Sequence, residues 1–349
     1  MDTESVGTPK FDVGGQAVIE GVMMRSPRSF TVVCRRPDGT IVIKEQEWQP
    51  LWAGAKVLRW PFLRGAVVLL ESLWNGLSAL AFSADQQLAE QDAHRKPRSL
   101  GAASAGGRER TSWSTYGMVA VSLVFGLALF VGVPHLAAWG LGELFGFGAS
   151  SVVFHLVDGA VKLSLLIGYM AAISLMDDVR RVFMYHGAEH KAIFTYEKGL
   201  PLTVDNARAQ SRFHPRCGTS FLLIVIGVSI VLFSAVLQFP LSSHVAADHA
   251  LKILIKLPLM FPVAGLSYEL IKLSGRKCDT SRVARALAAP GMWLQKITTR
   301  EPTDDQLEIA LLSIRKTLWR EAQRGGDAPP IGRVEVYPSA DAIDLPLAA

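Results

Sequence analysis

Cysteine is scarce: Cys34, Cys217 and Cys278 are the three present in 349 residues. An odd, scattered set excludes a disulfide framework and suits a reducing compartment. Charge is thin as well, at 19% of residues, against 50% hydrophobic residues and a mean hydropathy of +0.26. That balance excludes an average soluble domain. It is also too mixed for a pure membrane bundle, so it describes a membrane protein with soluble parts. The opening stretch MDTESVGTPKFDVGG lacks the charged-then-apolar pattern of a signal peptide, and internal segments are expected to carry the chain to the membrane. No Gly-Lys-Ser/Thr accompanies the paired glycines of GGQAVIEGVMMRSP, which excludes a phosphate loop. The net charge of +5 and pI near 9.1 sit beside apolar segments, a pattern of loops in a membrane protein, and no nucleic acid is expected as a partner.

Four apolar stretches are long enough to span a bilayer, which takes roughly 20 helical residues. They begin at Gly117 and run to about Pro134, lie within Ser151–Met176, cover Gly218–Phe239, and cover Leu251–Leu273. The last carries Lys252, Lys256 and prolines. Loops His135–Ser150 and Pro240–Ala250 contain no Lys or Arg, whereas the other flanks are rich in both. Positive loops stay inside, so the expectation is a plasma-membrane protein with both termini cytoplasmic. A fifth stretch, Phe62–Phe82, contains Arg64, Glu71 and Asn75 between two basic flanks, and reads as a re-entrant, in-plane or bundle-buried helix with Pro61 in its first turn.

Outside the spans, Ser29–Trp48 carries two β-branched runs around Pro37-Asp38-Gly39, the signature of a β-hairpin. Gln87–Thr111 reads as a flexible linker. Thr303 and Gln306 make a capping box ahead of the stripe Leu307, Leu311, Ile314 and Leu318. The expected organisation is an N-terminal β-rich element (1–58), the re-entrant or buried helix (59–84), a linker (85–116), a membrane bundle (117–273) with a His-rich loop (177–217), a C-terminal helical region (274–325) and a disordered tail (326–349). The fold class is mostly α: a multi-pass helical bundle with a small cytoplasmic β-hairpin element.

The chemistry concentrates in RRVFMYHGAEHKAIFTYEKG, where His186, Glu189 and His190 are spaced H-x-x-E-H. Val179, Val182, Phe183, Ile193 and Phe194 give a helical period, and the two histidines continue it, so they face inward. Gly199 and Pro201 end the helix. Two imidazoles one turn apart reach one ion at about 2.0–2.1 Å. A carboxylate on the same face can take a proton from an attacking water. The order is that of inverted zinc peptidases. The ordinary alternative is a pair of buried histidines bonded to carboxylates or carbonyls. A third ligand is needed, and FHPRCGTSF brings His214 and Cys217 to the same membrane face. Glu197 and Glu269 are alternative ligands or supporting carboxylates. Asp158 and Lys162, at i and i+4 in the second span, read as a structural ion pair. A thiolate favours zinc among divalent metals.

GGQAVIEGVMMRSP, RRVFMYHGAEHKAIFTYEKG, LTVDNARAQSRFHPRCGTSFLL and PGMWLQKITTREP together resemble the YqhQ-like bacterial membrane proteins, carriers of domain of unknown function 1385. The resemblance runs from about Phe11 to Arg320. It implies a multi-pass membrane protein and a metal-dependent enzyme, with His186, Glu189, His190, His214, Cys217 and Gly14–Arg25 at matching positions. The reaction expected is metal-assisted hydrolysis of a membrane-proximal peptide or lipid-linked substrate. The alternatives are a non-catalytic scaffold or assembly factor with a structural metal or a His/Glu network, or a transporter or channel lined by Asp158, Lys162 and Glu269.

Overall fold

The computed structural model describes residues 11–48, 63–95, 121–122, 124–277, 281–323 and 334–343. Strands β1 (Gly14–Val18), β2 (Gly21–Arg25), β3 (Ser29–Arg35) and β4 (Ile41–Glu47) form an antiparallel meander, and β5 (Val334–Tyr337) adds to β4. The expected hairpin is β3–β4, with Ser29 opposite Glu47 and Arg35 opposite Ile41. Its turn uses Gly39 at φ +88°, where a side chain would be strained, and Asp38 accepts from the Thr40 amide at 2.7 Å. The glycine-rich stretch ahead of it is a second hairpin, β1–β2. A wholly disordered tail is corrected by β5: Val334 and Val336 alternate with Glu335 and Tyr337, and this short run completes the edge of β4.

Helices follow: α1 (Leu63–Arg95), α2 (Val133–Phe145), α3 (Val152–Ile173), α4 (Asp177–Glu197), α5 (Val204–Arg208), α6 (Gly218–Val236), α7 (Val245–Lys277), α8 (Arg282–Thr298) and α9 (Asp304–Ala322). Among the described residues, five helical segments are long and apolar enough to cross a membrane: Arg64–Leu88, Val124–Phe145, Val152–Ile173, Gly218–Val236 and Val245–Ser274. The four expected spans are among them, with two adjustments. First, Pro134 does not end its helix. A π-helical turn, Ala128–Gly132, runs directly into α2, and this widened turn accommodates the ring inside one continuous helix. His135 therefore lies inside a helix and not in a loop. Second, α1 is one uninterrupted helix with no re-entrant reversal, and it continues through residues 85–95, which composition had assigned to the linker. Pro61, the linker from 96 to 116, residues 117–120 at the start of the first expected span and tail residues 344–349 lie outside the described residues.

The sheet is covered on both faces. Val22, Met24, Val33, Ile41 and Ile43 pack with Tyr185, Ala188 and Ala192 of α4 and with Leu307, Leu311, Ile314 and Leu318 of α9. The opposite face, with Val18, Met23, Phe30 and Val32, receives Ala79 and Phe82 of α1. The capping box forms as expected, with Gln306 accepting from the Thr303 amide at 3.0 Å. Glu45 of β4 is buried against Arg320 and Lys316 of α9, which fixes that helix to the sheet.

The Asp158–Lys162 ion pair forms at 2.6 Å, but in larger company. Lys256 of α7 reaches the same carboxylate oxygen at 2.9 Å and also donates to His135 Nδ1 at 3.0 Å. His135 Nε2 lies 3.0 Å from His249 Nδ1. Glu269 does not join this cluster; it pairs with Arg64 of α1 at 2.6 Å.

Candidate metal centre

Helix α4 follows α3 after a short turn, with Asp177 and Asp178 in its first turn, where the helix dipole favours acidic groups. It ends at Gly199, whose φ of +63° is the left-handed cap expected from sequence. Its inward stripe presents His186, Glu189 and His190 beneath the β1–β2 hairpin. Gly187, between them, packs against the backbone of Arg300 with no room for a side chain. That contact brings residues 298–300 onto α4, with the Arg300 amide donating to Phe183 O at 2.8 Å.

The close approach orients the imidazoles. His186 Nδ1 lies 2.8 Å from the Thr298 carbonyl and His190 Nδ1 lies 2.6 Å from the Arg212 carbonyl. A carbonyl can only accept, so each Nδ1 carries a proton and donates it, which fixes the orientation of each ring. Cys217, at the N-cap of α6, sets its sulfur 3.2 Å from His186 Nε2. Ligand atoms of His186, His190 and Cys217 all lie within 4.8 Å of one another, and His190 and Cys217 are buried. Two imidazoles and a thiol thus converge on one point.

The donor set fits a soft or borderline divalent ion. Zinc–nitrogen bonds of about 2.0–2.1 Å and a zinc–sulfur bond of about 2.3 Å place N and S roughly 3.5 Å apart at a tetrahedral centre. The observed 3.2 Å is a small adjustment away. Carbonyl bonds to the distal ring nitrogens are the usual support of histidine ligands. Burial pushes the Cys217 thiol up, but hydrogen bonding to His190 and Thr219 outweighs it and leaves the thiol below its ordinary value. Burial, helped by the neighbouring His186 ring, lowers His190 and keeps it neutral.

Glu189 is buried beside the three ligands but is not one of them. Burial raises its carboxyl to about 8, opposed by the His186 ring and the Ala17 amide of β1. Its Oε2 has no hydrogen-bond partner. A side chain on Gly15 would collide with this carboxylate, so the glycine lets β1 close over it.

His214 arrives next to His190, with ring centroids 5.6 Å apart, but both of its nitrogens are engaged elsewhere. Nε2 lies 3.3 Å from Glu197, and Nδ1 accepts from the Arg216 amide at 3.3 Å. Glu197 is shared with Arg216 and stands outside the cluster, as does Glu269. Among the described residues the group therefore has three ligands and not four.

Several contributors escape sequence reasoning. The carbonyls of Thr298 and Arg212 carry no residue-type signal. Gln295 of α8 clamps the His214 backbone, accepting from its amide and donating to its carbonyl at 2.8 Å each. Its signal was the PGMWLQKITTREP stretch, noticed for its resemblance and assigned no role. A cavity of about 590 Å³ opens beside the cluster, between the hairpin, α1, α4, and the ends of α6 and α7.

An apolar helical bundle with a buried His/Cys cluster at one end defines the class of protein. The chain belongs to the family described as "Protein of unknown function (DUF1385)", whose model matches residues 60–320. It is 33% identical over 311 residues to "Uncharacterized protein YqhQ" of Bacillus subtilis (strain 168), across 88% of this chain and 93% of the relative. No solved structure matches.

Proposed function

We propose that the protein is a metal-dependent hydrolase of the plasma membrane, with both termini and the His186 site at the cytoplasmic face, acting on a membrane-proximal peptide or lipid-linked substrate. The observation that carries this reading is the unpartnered Oε2 of Glu189 beside a three-residue His/Cys cluster at the wall of a cavity. His186, His190 and Cys217 hold the ion, and the sulfur favours zinc. A zinc ion held by these three residues would supply Lewis acidity towards a scissile carbonyl or phosphoryl group. In its ionised form, which a cation held beside it would favour, Glu189 takes the proton of the attacking water and passes it to the leaving group. The Ala17 amide holds one carboxylate oxygen and leaves the other for the water.

A scaffold with a purely structural metal would call for a saturated site. His214 is the residue that would complete it, and it is turned to Glu197. The test is a panel of fluorogenic peptides and fluorogenic phospholipids offered to the full chain in nanodiscs. Hydrolysis of at least one probe is expected to fall more than tenfold on chelation and to return with zinc. A panel untouched by the zinc-loaded protein, or turnover indifferent to chelator, refutes the reading.

A further inference from the structure

Resting on that hydrolase reading, we infer that the substrate is an anionic amphiphile drawn from the bilayer, its phosphate or carboxylate head held by Arg25 and its chain in the cavity. Part of the cavity wall is supplied by the helices long enough to cross a membrane, and much of that part is apolar. Val68 and Leu69 come from α1, Phe221 from the first turn of α6, and Tyr268 and Ile271 from the end of α7. A soluble polar substrate gains nothing from such a wall, whereas an acyl or prenyl chain gains roughly 25 cal/mol for each Å² it buries.

Helix α1 has two faces at this point. Val68, Leu69, Ser72 and Asn75 line the cavity. Leu70, Leu73, Trp74 and Leu77 are exposed on the other side, as a lipid-facing stripe would be. The helix is thus a partition, one helix thick, between the exposed apolar stripe and the site.

Arg25 supplies the head-group chemistry. It lines the cavity and is stacked on Trp48, with the guanidinium carbon 4.8 Å from the ring centroid. Among the described residues its guanidinium has no ion-pair or hydrogen-bond contact, and the nearby Glu71 and Tyr268 act on it only through space. A guanidinium set over an indole, with no hydrogen bond in contact, can take a phosphate or carboxylate in a bidentate manner. The second cation of the cavity, Arg216, is already committed to Glu197 and so contributes less.

The experiment uses the full chain in nanodiscs of zwitterionic lipid. Phosphatidate with a diazirine in its acyl chain is compared with the matching phosphatidylcholine, and crosslinked residues are mapped by mass spectrometry. Bulk lipid labels Leu73 and Trp74 whatever the head group. A cavity occupant labels Val68, Leu69, Phe221 or Ile271. The expected result is cavity labelling by the phosphatidate roughly tenfold above the phosphatidylcholine, one charge-assisted contact. Arg25→Gln should abolish that preference and Arg25→Lys should keep part of it, which guards against a folding defect. His190→Ala should keep the labelling, so failure of the metal reading and failure of this one are separable. Three outcomes overturn the inference: equal cavity labelling by both lipids, displacement by glycerol 3-phosphate as effective as by unlabelled phosphatidate, or cavity labelling by a diazirine-bearing apolar peptide alone.

Discussion

Glu189→Gln is expected to lower turnover of any probe the wild type hydrolyses by about 10²–10⁴-fold, the usual worth of a general base. It is also expected to leave the bound metal in place. The amide conserves volume, so the space against Gly15 stays filled and the Ala17 contact can be kept. What it loses is the ability to accept a proton. His186, His190 and Cys217 are untouched, and their orientation depends on Thr298, Arg212 and the cap of α6, none of which Glu189 supports. Metal content and steady-state rate measured on the same preparation separate the outcomes. A variant that keeps its metal and more than a tenth of its activity shows that Glu189 is not the base. Loss of metal and of folding together assigns the carboxyl a structural role.

The second large effect is expected far from the site. Asp158→Ala removes the one carboxylate on which Lys162 and Lys256 converge. Lys256 is 1% exposed and would keep the His135 ring as its partner but no anion. Breaking a buried ion pair from one side costs about 3–5 kcal/mol, because the stranded charge pays its full desolvation. An apparent melting temperature lower by about 10 °C in detergent is the expected reading. Glu143, exposed and bonded to Trp139 at 3.1 Å, is the control, and Glu143→Ala should change little. Equal melting of Asp158→Ala and wild type would mean that the cluster carries no net stabilisation.

These two residues show what a sequence can disclose. Glu189 was legible because a helical period and a five-residue spacing are local, and the structure places His186 and His190 on the stripe those patterns define. Cys217 was legible because the topology brought its stretch to the same end of the bundle. His214 was named on the same grounds, and nothing in the sequence shows that Glu197 occupies it. Asp158 and Lys162 were visible as a pair at i and i+4. Lys256 and His135 were not, because they arrive through interhelical packing, and His135 was concealed by reading Pro134 as a helix end.

The sheet was half legible. The β3–β4 hairpin announced itself through Pro37-Asp38-Gly39. The β1–β2 hairpin, which closes over Glu189, has Ile19-Glu20 at its tip, and Glu20 adopts φ +50° without being glycine. No turn residue marked it. Strand β5 is four residues long and far away in sequence, so its partner could be known only from the edge it covers. The backbone carbonyls that orient both histidines have no sequence signature, and this is why the site's ligands were readable and its geometry was not.

The central claim is that His186, His190 and Cys217 bind a metal ion. The full chain, purified in detergent and exposed to zinc, should hold close to one equivalent by elemental analysis, and His190→Ala or Cys217→Ser should hold almost none while remaining folded. A folded wild type with no stoichiometric transition metal after reconstitution, or a His190→Ala variant that binds as much as wild type, would contradict it.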